Sequence, residues 1–173
     1  MHVTLADLER VAPAFLPHRS AEVRPVDWDL VRNRLGIAYP ADYLGYASRY
    51  APLLIDDFLV ILGPTPGQEE GYIEATIERL ELMREYVEDD ETGDYTVHPE
   101  AGGLFPWGSS SEGDMFFWRT TGPDPDEWPV VVYASHDFWE HKGGALSLVV
   151  GLIDGSIEHR GLPPQPEPNP TVA

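Results

Sequence analysis

The chain has 173 residues, 42% of them hydrophobic, with 30 acidic against 11 basic side chains and a formal net charge of -19. That length suits one domain with a real core, and that charge excludes a phosphate-backbone binder, which needs many more cations. The absence of cysteine excludes disulfides, thiolate metal sites and thiol nucleophiles and fits a reducing cytoplasm, the expected compartment.

The first residues mix acids with apolar side chains and lack a basic start, so no secretory signal is read there. Thr4 is placed to cap a helix whose Leu5, Leu8, Val11, Ala12 and Phe15 share a face, with Asp7 at the capping-box position and Pro17 closing it. Residues 1–25 are expected to form an N-terminal helical extension. Asp27 caps a second helix that runs through Arg34, presents Trp28, Val31 and Leu35, and ends at Gly36. Pro40 opens a third, short helix to about Tyr50. Phe58 to Leu62 then reads as the first strand, ended by Gly63-Pro64. From Gln68 to Val87 a long amphipathic helix is predicted, with Ile73, Ile77, Leu80, Arg84 and Val87 as its stripe.

That helix and its exit concentrate charge. Residues 69 to 94 carry eleven acids against Arg79 and Arg84, a net of -9 out of -19. Glu69 and Glu70 suit the first turn, where the helix dipole is positive. Glu88, Asp89, Asp90 and Glu91 sit at the other end, where the dipole disfavours them; with Asp94 they are the candidate partner-binding residues. A patch of this density steers a basic protein toward it. Solubility alone is the competing explanation.

Between Gly102 and Val132, short apolar runs bounded by Gly, Pro, Ser or Asp read as an antiparallel meander, with strands near Met115 to Thr120 and Pro129 to Ala134. Trp107, Trp118 and Trp128 anchor it. Asp137 to His141 forms a further strand or an edge loop, and Ala145 to Ile153 a closing helix stopped by Gly155. Beyond it, residues 161–173 are proline-rich and expected to be a disordered tail. The longest apolar runs, Phe58 to Gly63 and Leu146 to Ile153, fall far short of the ~20 residues of a membrane helix.

Motifs for chemistry are missing. The only lysine, Lys142, follows no glycine-rich phosphate cradle. Gly108-Ser109-Ser110-Ser111-Glu112 departs from a nucleophile elbow at its fifth residue and reads as a turn. Asp89 to Asp94 lacks the spacing of a calcium loop. His136, Asp137 and His141 are spaced neither for a helix face nor for a strand face, which argues against zinc. Asp56-Asp57 and Asp124 with Asp126 lie in turn contexts, where aspartate bends or caps the backbone more often than it catalyses. No catalytic residue, metal or cofactor is therefore expected.

Asp27-Trp28, Leu35-Gly36, Tyr39-Pro40-Ala41-Asp42-Tyr43, Phe58 to Leu62 before Pro64, Leu104-Phe105-Pro106-Trp107-Gly108, Gly113-Asp114, Trp118 and Trp128-Pro129 followed by three valines occur in an order that resembles the SUKH superfamily, in particular its Smi/Knr-like branch. The resemblance spans roughly Trp28 to Ile153. It implies an α+β fold without a generally accepted catalytic role, and a bacterial immunity protein that binds and blocks a cognate toxin; some relatives regulate cell-wall assembly instead. On this reading residues 26–160 form a single SUKH-like domain with an antiparallel or mixed sheet of roughly four to six strands and helices mainly on one face. Asp42, Trp107, Gly108, Gly113, Asp114, Trp118, Trp128 and Pro129 match the family pattern and are expected chiefly to build the fold. The expected partner is a basic toxin domain, a nuclease among the candidates, neutralised by occlusion, with neither nucleic acid nor membrane bound. A regulatory scaffold is the alternative, and a hydrolase the third reading.

Overall fold

The computed structural model describes residues 2–163 and 168–173. Helix α1 (Leu5–Val11) starts where Thr4 and Asp7 bond each other, the Thr4 amide and hydroxyl both donating to Asp7 Oδ2 at 2.9 Å. It stops before Pro13, earlier than expected, and a 3-10 turn over Pro13–His18 carries Phe15 into the core. Helix α2 (Trp28–Leu35) begins with the Leu30 amide donating to Asp27 Oδ1 at 3.0 Å and ends at Gly36, whose φ of 64° is the left-handed conformation glycine adopts without a Cβ clash. In α3 (Ala41–Ala47), Pro40 stands just outside the helix rather than opening it. Helices α4 (Glu69–Glu88) and α5 (Ala145–Asp154) complete the set, the latter closed by Gly155 at φ 76°.

Seven strands make one antiparallel sheet: β1 (Leu53–Ile55), β2 (Leu59–Ile61), β3 (Leu104–Ser110), β4 (Met115–Arg119), β5 (Val130–Ala134), β6 (Asp137–His141) and β7 (Pro170–Val172), in the order β6-β5-β4-β3-β2-β1-β7. The class is α+β. The sheet exceeds the expected size because Leu53–Ile55 and Pro170–Val172 are too short to stand out as runs. The tail expectation is corrected accordingly: Leu162 is buried and Pro170–Val172 pairs with β1, while residues 164–167 lie outside the described residues. Both hairpins β1–β2 and β5–β6 turn through two residues with positive φ, Asp56 and Asp57 at 54°, Ser135 and His136 at 51° and 63°. Turns of this hand match the twist of the strands they join.

Alternation along the strands separates two apolar faces. Phe105 and Trp118 meet Tyr39 and Tyr43 at the start of α3, with the Tyr43 and Trp118 rings 5.0 Å apart, and Trp107 packs on Trp118 and Phe116. Helices α1 and α5 pack with α3 on this side. The first 25 residues are thus no appendage, since Leu8, Ala12 and Phe15 belong to the same core, and Tyr50 donates to Glu9 Oε1 at 2.9 Å. The opposite face carries Met115, Phe117, Tyr133 and Phe138, and α4 reaches it with Met83 and Tyr86. Met83, not Arg84, continues the buried stripe of α4; the Arg84 guanidinium is outside, donating to the His98 carbonyl at 3.0 Å.

Candidate functional site

The N-terminal half of α4 is fastened to its neighbours. Glu69 Oε1 accepts from the amides of Asp27 and Gly67, both at 3.1 Å, and Arg34 donates to both oxygens of Glu70 at 2.8 and 2.9 Å. The Tyr72 hydroxyl lies 3.1 Å from that of Tyr39. These contacts hold the helix against α2 and leave its outer face to solvent.

That outer face is acidic from end to end. Glu74, Glu78, Glu81, Glu85 and Glu88 recur at three- and four-residue intervals, so they stand in one row that at 1.5 Å per residue is about 21 Å long. Asp89, Asp90, Glu91 and Asp94 extend it into the loop that follows. All nine residues are exposed, and none makes an ion pair or a side-chain hydrogen bond among the described residues. The expected residues Glu88, Asp89, Asp90, Glu91 and Asp94 are therefore brought together. The sequence predicts a charged face for this helix but places the candidate residues only at its end; that the acids of α4 continue them as one row follows from their interval.

The acidic loop has a defined shape. The Glu91 amide donates to the Tyr86 carbonyl at 2.9 Å, and buried Thr92 donates its hydroxyl to the Tyr95 carbonyl at 3.0 Å. Tyr95 ties the loop to the sheet, its hydroxyl donating to Glu140 Oε1 at 3.0 Å and its ring 5.2 Å from that of Phe138. Burial and the Glu140 carboxylate push the Tyr95 phenol up to about 12, so it remains a donor at neutral pH. Beside the loop, Met83, Tyr86, Met115, Tyr133 and Phe138 line an apolar hollow of about 170 Å³ with Glu91 at its rim. Two large apolar side chains, Leu82 and Tyr86, are 43% and 37% exposed next to the acidic row. Carboxylates around an apolar centre are the anatomy of a protein interface.

The residues matching the family pattern are spread through the fold. Trp107 and Trp118 are fully buried. A Cβ on Gly108 would stand 3.2 Å from the Val60 carbonyl oxygen, and Gly113 turns the β3–β4 hairpin at φ 91°. Asp114 accepts from the Ser110 hydroxyl at 2.7 Å, and that hydroxyl accepts in turn from the Asp114 amide at 3.0 Å; of the serine run only Ser111 lies in the turn, since Ser109 and Ser110 end strand β3. Asp114 thus bonds a side chain rather than its own backbone. The Trp128 indole donates to the Gly122 carbonyl at 3.1 Å, and the Pro129 carbonyl accepts from the Arg119 amide at 2.9 Å.

Asp42 does something the sequence did not reveal. Its Oδ2 accepts from the Leu146 amide at 3.0 Å, so a side chain of α3 caps α5 across the core. Burial pushes the Asp42 carboxyl up, against these hydrogen bonds. Asp126 likewise accepts from the Ala41 amide at 2.6 Å and caps α3. Asp42, Asp126, Trp128 and Pro129 border a second cavity of about 670 Å³ with Lys142 and Ser147. Near it His141 Nε2 lies 2.9 Å from the Ser147 hydroxyl, and burial lowers the pKa of this imidazole. No carboxylate orients His141 among the described residues, and the Gly143 backbone packs so closely on the pair that a Cβ there would stand 2.6 Å from Nε2. His136 sits in the hairpin turn at the other end of β6, and no metal-binding cluster of His, Asp or Glu occurs among the described residues. Asp56 bonds the Asn169 amide at 2.7 Å and Asp124 that of Asp126 at 3.0 Å, which gives these aspartates turn roles.

Comparison with family models, curated proteins and solved structures finds no match. Among the described residues no helix is long and apolar enough to cross a membrane.

Proposed function

We propose that this chain is an immunity protein that neutralises a basic toxin domain by occlusion, docking through the outer face of α4 and the loop after it. The observation that carries the reading is the row of nine exposed, unpaired carboxylates beside an apolar hollow. Solubility needs negative charge but no such alignment. A toxin that cuts nucleic acid carries basic residues to hold phosphate, and an acidic face meeting them raises association rates by about 10 to 10³ at low salt. The sequence resemblance to SUKH immunity proteins supports the same reading independently.

Co-expression with a panel of verified toxin domains tests it. A cognate toxin should be tolerated only with the chain present and should form a stoichiometric complex that weakens with salt. Replacing Glu88, Asp89, Asp90, Glu91 and Asp94 by their amides should slow association at least about tenfold without loss of fold. Protection by no member of the panel, or unchanged association of the neutralised variant, overturns the proposal; selective retention of wall-synthesis proteins would favour the scaffold.

A further inference from the structure

The hollow beside the acidic loop has walls of one kind and a rim of another. Tyr86, Tyr133 and Phe138 supply rings, Met83 and Met115 adaptable thioethers, and Glu91 an exposed carboxylate with no ion-pair partner among the described residues. Its volume of about 170 Å³ suits one long side chain rather than a helix or a free metabolite. Resting on the reading of α4 as the docking face, we infer that this hollow is the socket for an arginine of the basic partner.

The chemistry favours arginine over lysine. A guanidinium is weakly hydrated, stacks flat on aromatic rings and grips a carboxylate with two donors, whereas an ammonium gives up a tight hydration shell. The apolar stem of the side chain covers Met83 and Met115 while the head reaches Glu91. The same sheet face already contains this arrangement: Arg119 lies 5.4 Å from the centre of the Tyr95 ring and donates to Glu140 at 2.8 Å, with Tyr95 packed on Phe138. The hollow brings together ingredients of the same kind, aromatic rings and a carboxylate. The other exposed acids of the row and loop, which have no ion-pair partner among the described residues, draw the positive charge to its mouth.

The test uses the full chain and two labelled peptides of equal charge, one arginine-rich and one with lysine at each arginine, titrated by fluorescence anisotropy at low salt. The arginine peptide should bind about fivefold more tightly, the range a desolvated cation–π contact supplies. Tyr86→Ala should abolish that preference and leave lysine-peptide affinity and the salt dependence unchanged. Tyr86 is partly exposed on a helix, so alanine is compatible with folding, and Phe138→Leu gives a second, milder probe of the same wall. Equal binding of the two peptides, or a preference that survives both substitutions, overturns the socket while the acidic docking face stands. Failure of both peptides to bind, or binding unmoved by neutralising the five loop acids, overturns the docking face itself. A dimer in sedimentation that Tyr86→Ala dissolves would seat a second copy in the hollow and overturn the arginine assignment.

Discussion

Replacing Asp42 by alanine removes the cap that α3 provides for α5. The Leu146 amide loses its acceptor at 3.0 Å, and it lies in a helix where Leu146, Leu148 and Val149 are almost wholly buried. A charge-assisted hydrogen bond contributes about 1.5–3 kcal/mol, and a lost helix cap alone about 1. Against this, alanine spares the carboxylate its desolvation, the cause that raises the Asp42 pKa above the usual 3.8. The balance is a loss of about 2 kcal/mol, or roughly 4–8 °C in Tm for a domain of this size. Asp42→Asn keeps an oxygen acceptor and carries no charge to desolvate, so it should stay within about 1 kcal/mol of the parent. The sign with pH follows: a raised native pKa means the folded state holds the proton longer, so this group's contribution is complete below the unfolded value and is lost as pH rises through the folded one. The asparagine variant lacks that slope and gains on the parent as pH climbs through the window. Thermal and urea unfolding followed by circular dichroism, with hydrogen exchange at the Leu146 amide, measure both effects. A Tm change below about 1 °C for Asp42→Ala, or equal losses for alanine and asparagine, would refute the capping argument.

Three further outcomes are expected. Trp107 is fully buried and its indole N–H has no partner among the described residues, so Trp107→Phe should cost no more than about 1.5 kcal/mol in urea unfolding, whereas Trp107→Ala should cost about 3–5. Buried His98, its Nε2 3.0 Å from the Leu35 carbonyl oxygen, has its pKa lowered chiefly by desolvation. The unfolded chain therefore takes up this proton first, and stability should fall as pH drops below about 6.5, a slope that His98→Gln should remove in denaturation midpoints measured across that range. Glu88 and Asp89 oppose the dipole at the end of α4, whose last turn has no basic residue, so Glu88→Gln with Asp89→Asn should raise stability by about 0.3–1 kcal/mol per site while slowing association with a basic partner; a loss of stability would count against the claim that these charges are kept for binding.

How far the sequence led depends on the range of the interaction that decides each feature. Caps and turns involve neighbours, and they were legible: Thr4 with Asp7, Asp27 with Leu30, Gly36 and Gly155 at helix ends, the hairpin turn at Gly113. The strands Met115–Arg119 and Val130–Ala134 were legible too, since apolar runs between turn residues are a local signal. The three-residue strands Leu53–Ile55 and Pro170–Val172 were not, because they are too short to show as runs and Pro170–Val172, at the sheet edge, finds its partner in Leu53–Ile55 more than a hundred residues away. The same distance hid the Asp42–Leu146 cap and the membership of Phe15 in the core, and the short period of α4 let Arg84 stand in for its neighbour Met83.

The candidate surface shows the same division in its energetics. Its charge was readable because charge adds along a chain whatever the fold, and five of the nine acids sit within seven residues of one another. Its apolar hollow was not, since Met83 and Tyr86 come from a helix, Met115, Tyr133 and Phe138 from three strands, and only the antiparallel register that sets Met115 opposite Tyr133 and Tyr133 opposite Phe138 places them on one face. On the proposed reading, long-range attraction falls to a contiguous segment, and short-range selectivity to residues that only the tertiary fold assembles. The two are separable by mutation for that reason. Neutralising the loop acids should change how fast a partner arrives and how strongly salt interferes, whereas altering Tyr86 should change which side chain is retained once it has arrived.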